Sequence, residues 1–242
     1  MSPTRPDSAA GPAREPVDPA DAVDPLDPME PMEPVDPVDP VASGTTDRRL
    51  LRGARARQVI ARHAVDVASM EGLNGLSIGR LAGDLGLSKS GIATLFGSKE
   101  KLQLAAVAWA HAAFLDAVVR PASAAPRGAA RLRALIEHWI GYAETPLFAG
   151  GCFWAANLPD FDSRPGPVRD ELLQHHRGWL ALLAGEVRQA VEAGEIVDPD
   201  ADLAAFQIDA VLTAANTALR LGDADAPGRV RRIVDTLLVP PA

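Results

Sequence analysis

The chain has 242 residues, of which 47% are hydrophobic, and its formal net charge is −8 at pH 7. That length allows one or two domains with a sizeable buried core. The single cysteine, Cys152, excludes an internal disulfide and fits a reducing compartment. No basic-then-apolar signal sequence opens the chain, and the longest apolar stretch, residues 104–119, contains His111 and Asp116. We therefore expect a soluble, cytoplasmic protein that does not span a membrane.

Charge is unevenly distributed along the chain. Residues 1–46 carry two Lys or Arg against ten Asp or Glu, whereas residues 47–102 carry ten against five. Residues 103–242 are acidic again, with twelve Lys or Arg against seventeen Asp or Glu. The overall acidity therefore hides a basic segment, and a basic segment of this kind is suited to binding a phosphate backbone.

Residues 1–46 differ in composition from the rest of the chain. Between residues 17 and 40 a tripeptide of apolar residue, acid and proline repeats, as Val-Asp-Pro, Leu-Asp-Pro and Met-Glu-Pro. Proline at every third position removes backbone donors and opposes helix, which predicts a disordered, extended acidic tail. Two interpretations stay open. The segment has no role, either as a passive tail or because the true start codon lies downstream, or it competes with DNA for the arginines that follow it.

Residues 76–102 have the spacing of a helix-turn-helix, preceded by a helix predicted over residues 49–71. Ser77, Ser88 and Ser98 each stand before an apolar-periodic segment and predict the N-caps of three successive helices. Gly86 lies at the turn between the first two of these helices, where a left-handed backbone is required. An ordinary helical hairpin is the alternative. The apolar positions of the two motif helices are Ile78, Leu81, Ala82 and Leu85, then Ile92 and Phe96.

The second motif helix has a polar face opposite its apolar stripe. In a helix-turn-helix this helix enters the major groove and presents its N-terminal residues to bases and phosphates. A merely solvated face is the alternative, but the basic surroundings favour DNA. The residues predicted to contact DNA are Arg52, Arg55, Ser77, Arg80, Ser88, Lys89, Ser90, Gly91, Ala93, Thr94 and Lys99.

The remainder of the chain is predicted to be helical as well. Apolar residues recur at helical spacing over residues 99–120, 127–143, 167–193, 201–221 and 227–238, and no segment alternates with period two for long enough to form a strand. The predicted fold is therefore all-α. It consists of the disordered tail (1–46), a three-helix DNA-binding domain (47–102), and a helical effector-binding and dimerisation domain (103–242).

Aromatic residues are concentrated in the middle of this C-terminal segment. Such a group can line an apolar ligand pocket, or it can simply form core, and both interpretations stay open. The candidate effector-pocket residues are Trp109, His138, Trp139, Tyr142, Phe148, Cys152, Phe153, Trp154, His175 and Trp179.

The predicted helix over residues 201–221 is rich in alanine, which suits close helix packing, and the last predicted helix, over residues 227–238, has an apolar stripe. Two such helices at the end of a chain favour a symmetric dimer interface. The candidate interface residues are Phe206, Val211, Ala214, Ala215, Ala218, Val230, Ile233 and Leu237.

Catalysis and metal binding find little support in the sequence. Cys152 with His175 or His176 lacks the cationic helix N-terminus that would activate a thiolate. Glu171 and His175 share a helix face, but two ligands do not make a metal site. We therefore expect no enzyme activity, no metal and no cofactor. A helix-turn-helix-derived scaffold, or a small-molecule-binding module without specific DNA binding, is the alternative to a DNA-binding regulator.

Together these motifs resemble the tetracycline-repressor (TetR) family of bacterial transcription regulators. The resemblance rests on SIGRLA at 77–82, GLSK at 86–89, Phe96 and SKEKL at 98–102. Later segments, GGCF at 150–153, RPGPVR at 164–169 and GE at 194–195, resemble a divergent effector domain of that family. The chain departs from the family at residues 93–95, where members carry an aromatic residue and a histidine. The resemblance implies a homodimeric repressor that binds a palindromic operator and is released by a small-molecule effector.

Overall fold

The computed structural model of the protein describes residues 43–197 and 200–240, and within these ranges every regular element is a helix. The all-α prediction is therefore confirmed. The proline-rich repeat of the predicted tail lies outside the described residues. The first helix begins at Ser43, six residues earlier than predicted and inside the segment that had been assigned to the tail.

Ten α-helices follow one another along the described residues. A 3-10 turn at Leu73–Gly75 separates the first two, and a π-helical turn at Leu115–Val119 joins the fourth to the fifth. The helices are α1 (Ser43–Glu71), α2 (Ile78–Leu85), α3 (Lys89–Phe96), α4 (Lys99–Phe114), α5 (Arg120–Ala122), α6 (Ala129–Glu144), α7 (Phe153–Phe161), α8 (Pro167–Glu192), α9 (Ala201–Arg220) and α10 (Ala226–Leu237).

Side-chain caps set the start of the helices in the helix-turn-helix, as predicted. The hydroxyl of Ser77 accepts from the amide of Arg80 at 3.1 Å, and Ser88 and Ser98 accept from the amides three residues onward at 3.0 and 3.1 Å. Gly86 ends α2 with φ of 63°, the left-handed conformation in which a side chain would be strained. These local interactions fix the angle between α2 and α3.

Helix α7 was not predicted as a helix. Pro159 lies within it, and a proline removes the hydrogen bond to the carbonyl four residues earlier. The helix nevertheless forms because Phe153, Asn157 and Phe161, spaced by four residues, are all buried on one side. Tertiary burial therefore outweighs the local cost of the proline.

Helix α4 lies at the centre of the fold and packs against α1 and α8. Its residues Leu102, Ala106, Val107 and Ala110 are completely buried. The continuous helical stretch Lys99–Ala122 is long and apolar enough to pass a length-and-composition test for a membrane span, but here it is a core helix. The predicted domain boundary at 102/103 falls inside this helix, so the same rigid element belongs to both predicted halves.

Polar contacts also join the two halves. The side chain of the fully buried Asn157 on α7 accepts from the amide of Leu73 at 2.6 Å and donates to the carbonyl of Ala68 at 3.2 Å. In the loop before α7, the amide of Gly150 donates to the hydroxyl of Ser69 at 2.8 Å. The end of α1 is therefore tied to α7 and its preceding loop independently of α4.

Candidate functional site

Helix α3 presents a polar face on the surface of the protein. Ile92 and Phe96 are 1% and 4% exposed and anchor the helix in the core. The residues predicted to contact DNA on this helix, Lys89, Ser90, Gly91, Ala93 and Thr94, are all exposed. The helix is therefore held by one side, and its other side is open along its whole length.

Hydrogen bonds within α3 occupy part of this polar face. The hydroxyl of Thr94 donates to the carbonyl of Ser90 at 2.8 Å, and that of Ser90 donates to the hydroxyl of Ser88 at 3.3 Å. The amide of Gly91 is used by the Ser88 cap. These hydroxyl oxygens remain acceptors, and the Thr94 methyl group remains available for an apolar contact.

Lys89 lies against the first turn of α2. A β-carbon built on Gly79 would come within 3.2 Å of Cε and 3.5 Å of Nζ of Lys89. The absence of a side chain at Gly79 therefore makes room for the lysine, whose own side chain is exposed. The ammonium group stands at the start of α3, where a helix in the major groove meets base edges or phosphates.

Arg80 and Lys99, both predicted to contact DNA, also hold neighbouring segments of the chain together. Arg80 forms ion pairs with Glu71 and, at 3.6 Å, with Asp84, and its hydrogen bond to Glu71 raises the pKa of the guanidinium. Lys99 donates to the carbonyl of Asn74 at 2.7 Å. Arg80 therefore links α2 to α1, and Lys99 links α4 to the 3-10 turn, in addition to any contact with DNA.

Arg57 positions α3, whereas the sequence had placed it only among the arginines of α1 within reach of a phosphate backbone. Its Nη2 donates to the carbonyl of Leu95, and its guanidinium carbon lies 5.4 Å from the centre of the Phe96 ring. One arginine of α1 thus satisfies a terminal carbonyl of α3 and contacts its aromatic anchor. The exposed Arg52 and Arg55 lie on the same helix, α1.

A continuous cluster of aromatic rings occupies the C-terminal half. Phe114 of α4 is at its centre, with ring centroids 5.6 Å from Tyr142, 5.3 Å from Trp154 and 5.4 Å from Trp179. Sequence reasoning missed Phe114, although it falls at an apolar position of the predicted α4. The predicted pocket residues Trp109, Trp139, Tyr142, Phe148, Phe153, Trp154, His175 and Trp179 all belong to this cluster or contact it.

One side of the cluster is closed. Tyr142, Phe148, Cys152 and Phe153 are buried, and burial raises the pKa of both the Tyr142 phenol and the Cys152 thiol. The amide of Cys152 donates to Asn216 of α9 at 3.1 Å. The thiol is therefore held in its protonated form, which is a poor nucleophile.

The other side of the cluster is partly open to solvent. His111, Trp154, His175 and Trp179, from α4, α7 and α8, are each half-buried. The imidazole rings of His111 and His175 stack with centroids 3.7 Å apart. Burial is the main cause that lowers the pKa of His111 to about 4, and burial also lowers the pKa of His175. Both rings are therefore neutral at neutral pH.

Of the predicted pocket residues, His138 lies apart from the aromatic cluster. It is exposed on the outer side of α6, whereas its neighbour Trp139 is buried. Adjacent helix residues point about 100° apart, so one can face the core while the next faces solvent.

The predicted dimer-interface residues divide into two groups. Phe206, Ala214 and Ile233 are exposed, Phe206 to 64%, while Val211, Ala218 and Leu237 are half-buried. Ala215 and Val230 are buried within their own chain, at 6% and 1% exposure, and so offer almost no surface to a second copy. They pack between α9 and its neighbours, because each lies on the inward face of its helix.

Among the described residues, no group of three or more His, Cys, Asp or Glu side chains is arranged to hold a metal ion.

Comparison with known proteins identifies relatives of this fold. Residues 128–234 match the family model described as "Tetracyclin repressor-like, C-terminal domain". No curated protein matches the chain. A TetR transcriptional regulator from Chloroflexus aurantiacus J-10-FL is 24% identical with a TM-score of 0.68, covering 77% of this chain and 95% of that one.

Two further solved structures were determined with bound molecules. AibR, in complex with isovaleryl coenzyme A and operator DNA, is 17% identical with a TM-score of 0.62, covering 76% of this chain and 98% of that one. A regulator from Saccharomonospora viridis in complex with choline is 21% identical with a TM-score of 0.65, covering 76% and 95%. The resemblance to the TetR family is confirmed, in the C-terminal domain by the family model and in the overall fold by these structures.

Proposed function

We propose that this chain, which has the C-terminal domain and the fold of TetR-family regulators, is a cytoplasmic transcriptional regulator that binds a specific operator as a homodimer. It carries out no catalysis. In this proposal α3 enters the major groove, and a small molecule bound in the C-terminal half releases the protein from DNA. The protein thus acts as a repressor that its effector inactivates.

The observation that carries the DNA-binding proposal is the exposed polar face of α3. The helix is anchored by Ile92 and Phe96, begins at the Ser88 cap and is secured at its end by Arg57. A helix held so firmly on one side and left open on the other can fit the groove without first rearranging. The open side carries Lys89 and Thr94, which suit guanine or phosphate and a thymine methyl group respectively.

Exposed apolar side chains on α9 and α10 support the dimer. Phe206 is 64% exposed and Ile233 is 40% exposed, and Leu203 on the same pair of helices is 53% exposed. Covering these side chains with a second copy would remove apolar surface from water. A two-fold dimer would place two copies of α3 about 34 Å apart, one turn of DNA.

The path from effector to DNA runs through α4 in this proposal. The N-terminal end of α4 follows α3 directly, while Phe114 near its other end is the centre of the aromatic cluster. An effector that inserts among these rings would shift α4 and change the separation of the two α3 helices. It can do so only to the extent that it binds the two conformations with different affinity.

Selection of bound sequences from a random DNA pool tests the proposal. A regulator of this kind enriches a palindrome whose half-sites are about one helical turn apart, and binds it with two chains per site. Enrichment of no sequence, with binding that falls steeply as salt rises, would leave only non-specific attraction and favour a scaffold or ligand-binding module.

A further inference from the structure

The half-buried edge of the aromatic cluster contains a hydrogen-bond donor that has no partner. Nε1 of Trp154 is buried and makes no hydrogen bond. An indole N–H can only donate, so a protein acceptor or a bound molecule must supply the missing oxygen. An unpaired buried donor is unfavourable, and a ligand acceptor would relieve it.

A second buried nitrogen lies on the same edge. Nε2 of His175 is 3.0 Å from a carboxylate oxygen of Glu171, yet the geometry is not that of a hydrogen bond. The ring of His111 contacts both Trp154 and His175, with centroids 6.3 and 3.7 Å away. Three nitrogen-bearing rings from three helices therefore meet at one place.

The nearby tryptophan Trp179 differs in this respect. Its Nε1 donates to a carboxylate oxygen of Asp209 at 3.1 Å, and the other oxygen of Asp209 is 2.9 Å from Nε2 of His176. Both tryptophans contact Phe114 at nearly the same distance. The cluster therefore contains one tryptophan whose N–H is hydrogen-bonded and one whose N–H is not. The same substitution at each position can be compared directly.

The charges around this edge limit what can bind. The charged groups that act on it are carboxylates, Glu171 beside His175 and His111, and Asp209 beside Trp179 and Cys152. The two stacked imidazoles are neutral at neutral pH. An anionic ligand would be repelled by these carboxylates, and the two neutral imidazoles would not offset that repulsion. A cationic ligand would leave the Trp154 N–H without an acceptor.

We infer that the effector is an uncharged aromatic compound with a carbonyl-type oxygen, bound at the edge formed by His111, Trp154, His175 and Trp179. Its oxygen accepts from Nε1 of Trp154, and its ring packs on Phe114 and the neighbouring indoles. This inference rests on the proposed function, because it specifies the chemical class of ligand for the effector site.

Four compounds of nearly equal shape separate the possibilities: 2-acetylnaphthalene (neutral acceptor), 2-ethylnaphthalene (no polar atom), 2-naphthoate (anion) and 2-naphthylmethylammonium (cation). Each is titrated calorimetrically, without DNA, against wild type, Trp154→Phe and Trp179→Phe. The ketone is expected to bind wild type about tenfold more tightly than the ethyl compound, the value of one hydrogen bond. Trp154→Phe should abolish that preference, whereas Trp179→Phe should retain it.

Thermal unfolding of each variant controls for folding. Trp154→Phe removes a donor that has no partner, so it should unfold at nearly the wild-type temperature. The inference is overturned if none of the compounds binds, if the anion or the cation binds more tightly than the ketone, or if the preference survives in Trp154→Phe.

Operator binding, measured separately, distinguishes failure of the inference from failure of the proposed function. Specific operator binding without any ligand binding would overturn the inference and leave the DNA-binding role intact. Ketone binding that depends on Trp154 but leaves operator affinity unchanged would support the site and contradict its role in release.

Discussion

The side-chain oxygen of Asn157 accepts a hydrogen bond from the backbone amide of Leu73, with 2.6 Å between the two atoms. Asn157 is on α7, beside the aromatic cluster, and Leu73 begins the turn that leads from α1 into the helix-turn-helix. Because Asn157 is fully buried, neither group can turn to water instead. This contact connects the C-terminal half, which contains the aromatic cluster, to the helix-turn-helix by a route that does not use α4.

Replacing this side chain should therefore destabilise the whole protein. Asn157→Ala leaves the amide of Leu73 buried and unpaired, and we expect the free energy of unfolding to fall by about 2–3 kcal/mol in urea titrations. Asn74→Ala is the control, because Asn74 accepts a hydrogen bond from Lys99 through its backbone carbonyl, which the substitution keeps. Equal effects of the two substitutions would contradict the account of Asn157.

Gly150 should tolerate no side chain. A β-carbon at this position would lie 2.0 Å from the carbonyl oxygen of Ser69, 2.2 Å from its carbonyl carbon and 2.5 Å from the amide nitrogen of Met70. All three are backbone atoms, which cannot rotate away as a side chain can. Gly150→Ala is expected to cost about 1–3 kcal/mol by overpacking. Gly141→Ala, in the last turn of α6 with nothing within 4 Å, should instead stabilise the protein by about 0.5–1 kcal/mol. Thermal unfolding of the two variants compares them directly, and shifts in the same direction would refute the packing argument.

The helix-turn-helix could be predicted because its determinants are local. Ser77, Ser88 and Ser98 cap their helices within three residues, and Gly86 acts through its own backbone angle. Such interactions can be recognised from sequence spacing alone. The long helices of the C-terminal half, α6, α8, α9 and α10, followed similarly from their apolar periodicity.

Predictions failed where the outcome depends on packing between distant segments. Helix α7 contains Pro159 and exists because of what it packs against, so local propensity argues against it. The links made by Arg57 and Asn157 join residues far apart in the chain. The exposure of His138 likewise did not follow from its place among the aromatic residues of the sequence, because adjacent residues of a helix face different directions.

Stability should fall in mild acid because of His111. Burial lowers its pKa from 6.5 to about 4 in the folded protein, while the unfolded chain takes up a proton near 6.5. The unfolded state therefore binds more protons between these values, and the free energy of unfolding decreases as the pH falls from 6.5 towards 4. The stacked His175 contributes in the same direction, since burial lowers its pKa too.

The variant His111→Phe isolates this contribution. It should flatten the decrease in urea titrations between pH 7 and pH 4 (about the range set by the two pKa values), because phenylalanine keeps the ring and does not titrate. His138→Phe, which changes an exposed histidine of α6, serves as the control. An unchanged pH profile in His111→Phe would show that other groups dominate acid unfolding.

The dimer proposal predicts that a charge on α9 produces monomers. Phe206→Glu places a carboxylate where an apolar side chain is 64% exposed, and burying that charge in an interface would be costly. Light scattering after size-exclusion chromatography should give half the mass of the wild-type particle. Leu147→Glu introduces the same charge at an apolar residue that is 47% exposed outside α9 and α10, and it should stay dimeric. If Phe206→Glu stays dimeric as Leu147→Glu does, the interface does not include Phe206.

Sequence-specific DNA binding by α3 is tested by fluorescence anisotropy with DNA flanking the gene. It uses physiological salt and excess competitor DNA, and compares wild type with Lys89→Ala/Thr94→Ala. Both residues lie on the exposed face of α3, and Arg177→Ala, which removes one exposed charge from α8, is the control. The account predicts tight, competitor-resistant binding by wild type and the control, and a loss of at least about tenfold in the double variant. Binding that is weak, salt-sensitive and unchanged by the double substitution would contradict it.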